Sequence, residues 1–292
     1  MTRYRLSAAV ALAASALLIT GCGGTPPEQA APGTVLEAAP GPSAQVRGLV
    51  LPLDRYLLSV NEIYLIESAK DVVTRDCMKQ RGFDWEVIDD RGRYPDLRNR
   101  RRYGVIEMPV ARTMGYRTNP RLMGSTDVTV RKMDREKRLG PAERKAATDP
   151  VDGCWKRAGD RLARGSRVDE DLVNKLNGSS LATALETPAV VRATRAWSAC
   201  MKERGQAYDD FYAAAEDPRW GRSGRPTRAE KETAEADVAC KERTGLVALL
   251  AETERGIQER GIRAHAAYFA ELAAAKKRHL TAAREVLRGG RG

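Results

Sequence analysis

Phenylalanine occurs only three times in 292 residues and aromatic residues make up 5% of the chain, so its core must be built mainly from Ala, Leu and Val. Histidine is scarcer still, with His265 and His279 alone. Placed on one helix they would lie roughly 21 Å apart at 1.5 Å per residue, too far to share a metal ion. The sequence has no Cys-x-x-Cys, no Gly-x-Ser-x-Gly, no phosphate loop, no His-Glu-x-x-His and no dinucleotide fingerprint. No metal, no cofactor and no enzymatic activity are therefore expected. Long apolar runs are missing as well, which argues against a membrane-spanning helix, since one needs about 20 such residues.

One shorter run does stand out. Arg3 and Arg5 precede an apolar stretch, Ser7 to Thr20, of the length of a signal peptide's hydrophobic region. It ends in Ile19-Thr20-Gly21-Cys22, an aliphatic residue and two small ones before a cysteine. This pattern is similar to a bacterial lipobox, with Cys22 as the thiol that takes a diacylglyceryl group. Residues 1–21 are then a lipoprotein signal peptide. Two or more acyl chains, palmitate among them, hold a protein stably at a membrane because each buried methylene contributes about 0.8 kcal/mol. The expected location is the outer face of the cytoplasmic membrane.

Residues 22–50 read as a lipid-anchored flexible linker rich in Pro and Gly, with too little apolar surface to offset the entropy of ordering it. The formal net charge of +11 falls to +9 once Arg3 and Arg5 are removed. Such a balance suits anionic headgroups or an anionic wall polymer, or an envelope protein with an acidic face, as partner. Export argues against nucleic acid. Most Lys and Arg alternate with Asp and Glu, as on solvated helix faces.

The remaining four cysteines sit in two similar contexts. "CMKQRG" at 77–82 and "CMKERG" at 200–205 each close a stretch with helical spacing. Gly82 and Gly205 stop the helices; Asp54 and Thr187 are candidate starts, with Pro188 at the first helical position. Cys154 and Cys240 follow, each 13 residues after Pro141 or Thr227 and each with an Asp two or three residues before it. A two-fold internal repeat follows, residues 51–165 and 166–292, each half carrying its own disulfide: Cys77–Cys154 and Cys200–Cys240. The fold class is mainly α, a disulfide-stapled helical bundle.

The first half carries an irregular insert at about 88–137. It holds the densest basic cluster, Arg98, Arg100, Arg101 and Arg102, with Tyr103 and Tyr116 nearby. Guanidinium groups fork onto anions and aromatic faces stack on sugars, so these six are candidate ligand-binding residues, alongside a simpler role packing on the helices. From Thr227 to Leu287 the pattern gives one or two long helices. Apolar and small residues from Ile257 to Val286 recur at alternating four- and three-residue steps, suited to packing on the helix before Cys77, with a bend near Gly256 and Gly261. Asp209 and Asp210 read as helix-capping residues and, less strongly, as a hydrolytic carboxylate pair.

The lipobox, "CMKQRGFDW", "RRYGVIEM" followed by "GYRTNP", "WSACMKERG" and "EADVACKERTGL" together resemble a family of secreted lipoproteins from high-GC actinobacteria of the Streptomyces type. The resemblance covers most of the processed chain. It implies place and fold and brings no catalytic residue, cofactor or activity. The function expected is a non-enzymatic binding or scaffold module of the cell envelope. The alternatives are capture of a solute or glycan by the Arg/Tyr insert and, more weakly, a carboxylate-based wall hydrolase. Intact-mass analysis of the membrane fraction tests the location: the chain should begin at Cys22 and carry acyl chains, and a chain still bearing residues 1–21 would contradict it.

Overall fold

The computed structural model describes residues 38–89, 92–124, 126–221 and 225–290, and every regular element among them is helical. Cys22, the signal peptide and the linker as far as residue 37 lie outside the described residues. In order the helices are α1 (Ala44–Gly48), α2 (Val60–Gln80), α3 (Met108–Met114), α4 (Asp127–Arg138), α5 (Pro141–Thr148), α6 (Cys154–Leu162), α7 (Asp171–Glu186), α8 (Pro188–Glu203), α9 (Phe211–Ala215), α10 (Arg228–Thr244), α11 (Leu246–Ala264) and α12 (Ala266–Gly289). No helix among the described residues is long and apolar enough to cross a membrane.

Local chemistry sets the boundaries. Helix α2 starts at Ser59, whose Oγ accepts from the Glu62 N–H at 3.3 Å while Glu62 accepts from the Ser59 N–H at 2.7 Å. Asp54, the expected cap, instead accepts from the Leu51 N–H at 2.8 Å and caps the short 3-10 turn Pro52–Arg55. The two similar hexapeptides end alike: Gly82 and Gly205 take φ of 81° and 75°, and the next N–H returns to the carbonyl of Met78 or Met201 at 3.0 and 2.9 Å. Glycine alone adopts that left-handed turn without cost from a Cβ.

Both disulfides are present as expected, Cys77–Cys154 and Cys200–Cys240, each with Cα atoms 5.7 Å apart. Their surroundings differ. Helix α10 runs unbroken through Cys240, whereas α5 stops at Thr148 and Cys154 opens α6. Pro150 forces the stop, since the residue before a proline is driven out of helical geometry. Asp149 then caps the turn by accepting from the N–H groups of Val151 and Asp152 at 2.9 and 3.2 Å.

The largest apolar cluster surrounds Cys200–Cys240 and includes Trp197, Met201, Phe211 and Leu250, all fully shielded from solvent. A second joins Ile66, Ala69 and Val72 of α2 to Leu280, Ala283 and Leu287 of α12, the pairing that the C-terminal stripe predicted. Smaller clusters form around Phe269 and Leu272, and around Met78 and Trp85.

Three expectations change. The C-terminal stretch forms three helices, divided at Gly245, with φ of 65°, and at His265, rather than bending at Gly256. Gly261 serves close packing: a Cβ there would come within 3.2 Å of the Leu176 side chain on α7. The linker is also shorter than residues 22–50, because its end is packed: Val46 of α1 is buried, and Arg100 donates to the Pro40 carbonyl at 2.8 Å. Finally, the insert is not simply irregular, since it contains α3 and almost all of α4. Helix α3 packs on α10 and α12 packs on α2, so the two halves interlock.

Closing loops of this size restricts the unfolded chain, so Cys200→Ala/Cys240→Ala should lower stability by roughly 4 kcal/mol, and Cys77→Ala/Cys154→Ala by slightly more. Denaturant melts measure the loss; a change below 1 kcal/mol in either variant would contradict it (about a quarter of the loop-entropy value).

Candidate functional site

The basic cluster of the insert is folded into the body. Arg100 is 2% exposed; its Nε donates to Glu107 at 2.6 Å, and its two Nη atoms donate to the carbonyls of Leu122 and Pro40 at 3.0 and 2.8 Å. Arg101 donates to the Tyr116 carbonyl at 2.8 Å. Arg102 reaches α11, where its Nε donates to Glu254 at 2.8 Å, and its Nη2 also donates to the Asn177 carbonyl at 2.7 Å. Tyr103 is buried with its hydroxyl donating to Glu254 at 2.8 Å, and Tyr116 is buried against Trp220. Burial and the nearby Glu254 carboxylate push the Tyr103 phenol far above its ordinary value. Arg98 is the nearest of these to the surface, held by Asp96 at 2.6 Å. The expectation of an exposed six-residue ligand surface therefore does not hold: each of the four guanidinium groups already has a partner inside the protein, although the second Nη of Arg101 is buried without one.

Most of the carboxylate partners of the insert are remote in sequence, as Glu254 is from Arg102, and so are hidden from local patterns. Five ion pairs among the described residues contain a buried carboxylate: Arg100–Glu107, Arg102–Glu254, Arg117–Glu230, Arg135–Asp71 and Lys241–Asp237. Four take their cation from the insert. In the fifth, Lys241 also donates to the insert's Val105 carbonyl at 3.0 Å. Charge spacing within one helix reveals only the pair Asp237–Lys241.

Two of these pairs sit in similar corners. The Trp85 indole donates to Asp71 at 3.3 Å, and the guanidinium of Arg135 lies 4.1 Å from the Trp85 ring centre. The Trp197 indole donates to Asp237 at 2.9 Å, and the Lys241 ammonium lies 4.6 Å from the Phe211 ring. Burial pushes Asp237 up and Lys241 down, while their mutual attraction opposes both shifts.

Phe211 links this corner to an open cleft of about 650 Å³ between α8 and the start of α9. Leu185, Val191 and Phe211 give it apolar walls, and Arg195, Lys202 and Asp209 are exposed along it. No carboxylate of the described residues lies within ion-pair distance of Arg195 or Lys202, which sit seven positions apart on the same face of α8. Ser198 is turned inward, donating to the Tyr208 carbonyl at 2.6 Å. Asp210 caps α9 as expected, accepting from the N–H groups of Tyr212 and Ala213, each at 2.9 Å. The Tyr212 hydroxyl donates to the Arg102 carbonyl at 3.0 Å, so the insert steadies this wall of the cleft. No family model matches this chain. Neither does any curated protein or solved structure.

Other grooves have several of their charges paired. The one that includes Arg98 and Arg102 measures about 430 Å³ and holds those two cations already bound to carboxylates. The broad groove between α2 and α11, about 830 Å³, pairs Glu62 with Lys276 and Glu259 with Arg263. No group of three or more metal-ligating side chains occurs among the described residues. The α8–α9 cleft joins apolar walls to two cations without a carboxylate partner on one helix face, in the volume range of small-molecule sites.

The pair that holds the insert gives a prediction. Burial raises the Glu254 carboxyl, but hydrogen bonds from Arg102, Ser180 and Tyr103 and the Arg102 charge outweigh it, and the net shift is down. Its contribution is then complete above the ordinary carboxylate range and is lost as pH falls through the depressed folded value. Glu254→Gln should cost roughly 3 kcal/mol at pH 7, and the gap to wild type should shrink as pH falls below the ordinary carboxylate range of about 4. Urea melts across that range check it; a gap independent of pH would contradict it.

Proposed function

We propose that this chain is a membrane-anchored extracytoplasmic lipoprotein, a non-enzymatic binding module of the cell envelope, whose α8–α9 cleft takes an amphipathic anion. The lipobox-like Ile19–Cys22 and the two disulfides, which persist in oxidising compartments, support the location. One observation carries the binding role: Arg195 and Lys202 line an apolar cleft with no carboxylate partner, on a base fixed by Trp197, Phe211 and the Cys200–Cys240 bond. An anionic head would meet the two cations, and its apolar body would cover Leu185, Val191 and Phe211. The two similar Trp–Asp–cation corners and identical helix ends support a duplicated helix–cysteine unit as the origin of the fold.

The reading that assigns solute or glycan capture to the Arg/Tyr insert has less support, because those guanidinium groups already hold carboxylates and carbonyls. The hydrolase reading has less again, since Asp210 is engaged in capping α9.

Titration with a dansyl-labelled undecanoic acid tests the cleft. The processed chain should bind the probe saturably, and Arg195→Glu/Lys202→Glu should weaken binding at least about tenfold, since each reversal replaces attraction by repulsion. Undiminished binding by the double variant, or none by the wild type, would contradict the assignment.

A further inference from the structure

Large apolar side chains exposed on the body are few, and they cluster. Val50, Ile63 and Met123 are 59%, 44% and 43% exposed. They line two grooves that meet at Asp54: Val50 lies in the groove between α2 and α11, and Ile63 and Met123 in the adjoining one with Val60 and Pro95. The other two exposed large apolar residues, Met133 and Val151, belong to neither.

The cluster lies where the chain joins the body. A single guanidinium, that of Arg100, holds the carbonyls of both Pro40 and Leu122, at 2.8 and 3.0 Å. Pro40 is therefore only a few ångströms from the main chain beside Met123. From Cys22 to residue 38 there are 16 residues, which span at most roughly 55 Å when fully extended. The tether of a chain anchored at Cys22 would thus join the body next to Met123.

The chemistry of this side suits a lipid surface. Tyr64, which follows Ile63 on α2, is in edge contact with Tyr94 at 5.2 Å, and tyrosine favours the headgroup layer. The acids nearby are occupied: Asp54 accepts from the Leu51 N–H and from Asn99 at 2.8 and 2.7 Å, and Asp96 is paired with Arg98. Arg55 is exposed on the same side, and the processed chain is positive overall.

We infer that the face carrying Val50, Ile63 and Met123 is a membrane-contact surface, resting on anionic phospholipid. The inference rests on the anchored location proposed above and is separate from the α8–α9 cleft. The acyl chain supplies the anchor, and this face sets which way the body lies.

Cosedimentation with phosphatidylcholine vesicles containing phosphatidylglycerol tests it, using the processed chain with Cys22→Ser so that no acyl chain contributes. The wild-type body should associate. Ile63→Glu/Met123→Glu should reduce association about tenfold, whereas Met133→Glu/Val151→Glu should leave it unchanged. Circular dichroism confirms folding, and Ile63→Ser/Met123→Ser provides a milder variant at the same positions. No association by the wild-type body, equal losses in both glutamate variants, or a concentration-dependent dimer abolished by the Ile63/Met123 changes in place of vesicle binding would overturn the inference. Failure of Cys22 acylation in cells, read from intact mass, would instead overturn the anchored location, so the two failures are distinguishable.

Discussion

Glu254 is the carboxylate on which the arrangement turns. It is fully shielded from solvent and accepts hydrogen bonds from Arg102 and Tyr103 of the insert, Ser180 of α7 and Gln258 of its own helix. Gln258 passes the connection on, accepting from the Leu53 N–H at 3.0 Å in the turn before α2. One buried charge thereby joins elements from both ends of the chain. A buried charge is costly unless paired and hydrogen-bonded, so each of these partners is required by the others.

The same rule explains most of the insert. Five of its arginines enter the interior; four find a carboxylate there, and Arg101 holds the Tyr116 carbonyl instead. Replacing such pairs by well-packed apolar groups is often neutral for stability, whereas removing one partner strands the other. With few aromatic residues to define a unique core by shape, the pairs supply the specificity, fixing which helix meets which. The path runs from there to the cleft: Arg102 holds Tyr212, and Tyr212 with Phe211 forms the wall facing α8.

Much of the fold was legible because its signals are local. Helical spacing, the stops at Gly82 and Gly205, the cysteine contexts and the packing of the C-terminal stripe on α2 all follow from neighbours in sequence. The insert misled for the opposite reason. A run such as Arg98 to Tyr103 reads as solvated because nothing nearby shows that Glu254, more than 100 positions away, will meet Arg102 and Tyr103. The cleft was hidden similarly: Arg195 and Lys202 look like any exposed helix cations until the segment around Phe211 is set against them. Asp210 was legible, because an Asp before a short helix signals a cap.

Amide hydrogen exchange tests the central claim most directly, namely that the insert is core and not surface excursion. Buried, ion-paired backbone opens only with the whole structure, so the amides of residues 100–116 should exchange as slowly as those of α10 and α11. Exchange there as fast as in exposed turns, with α10 and α11 still protected, would contradict the account.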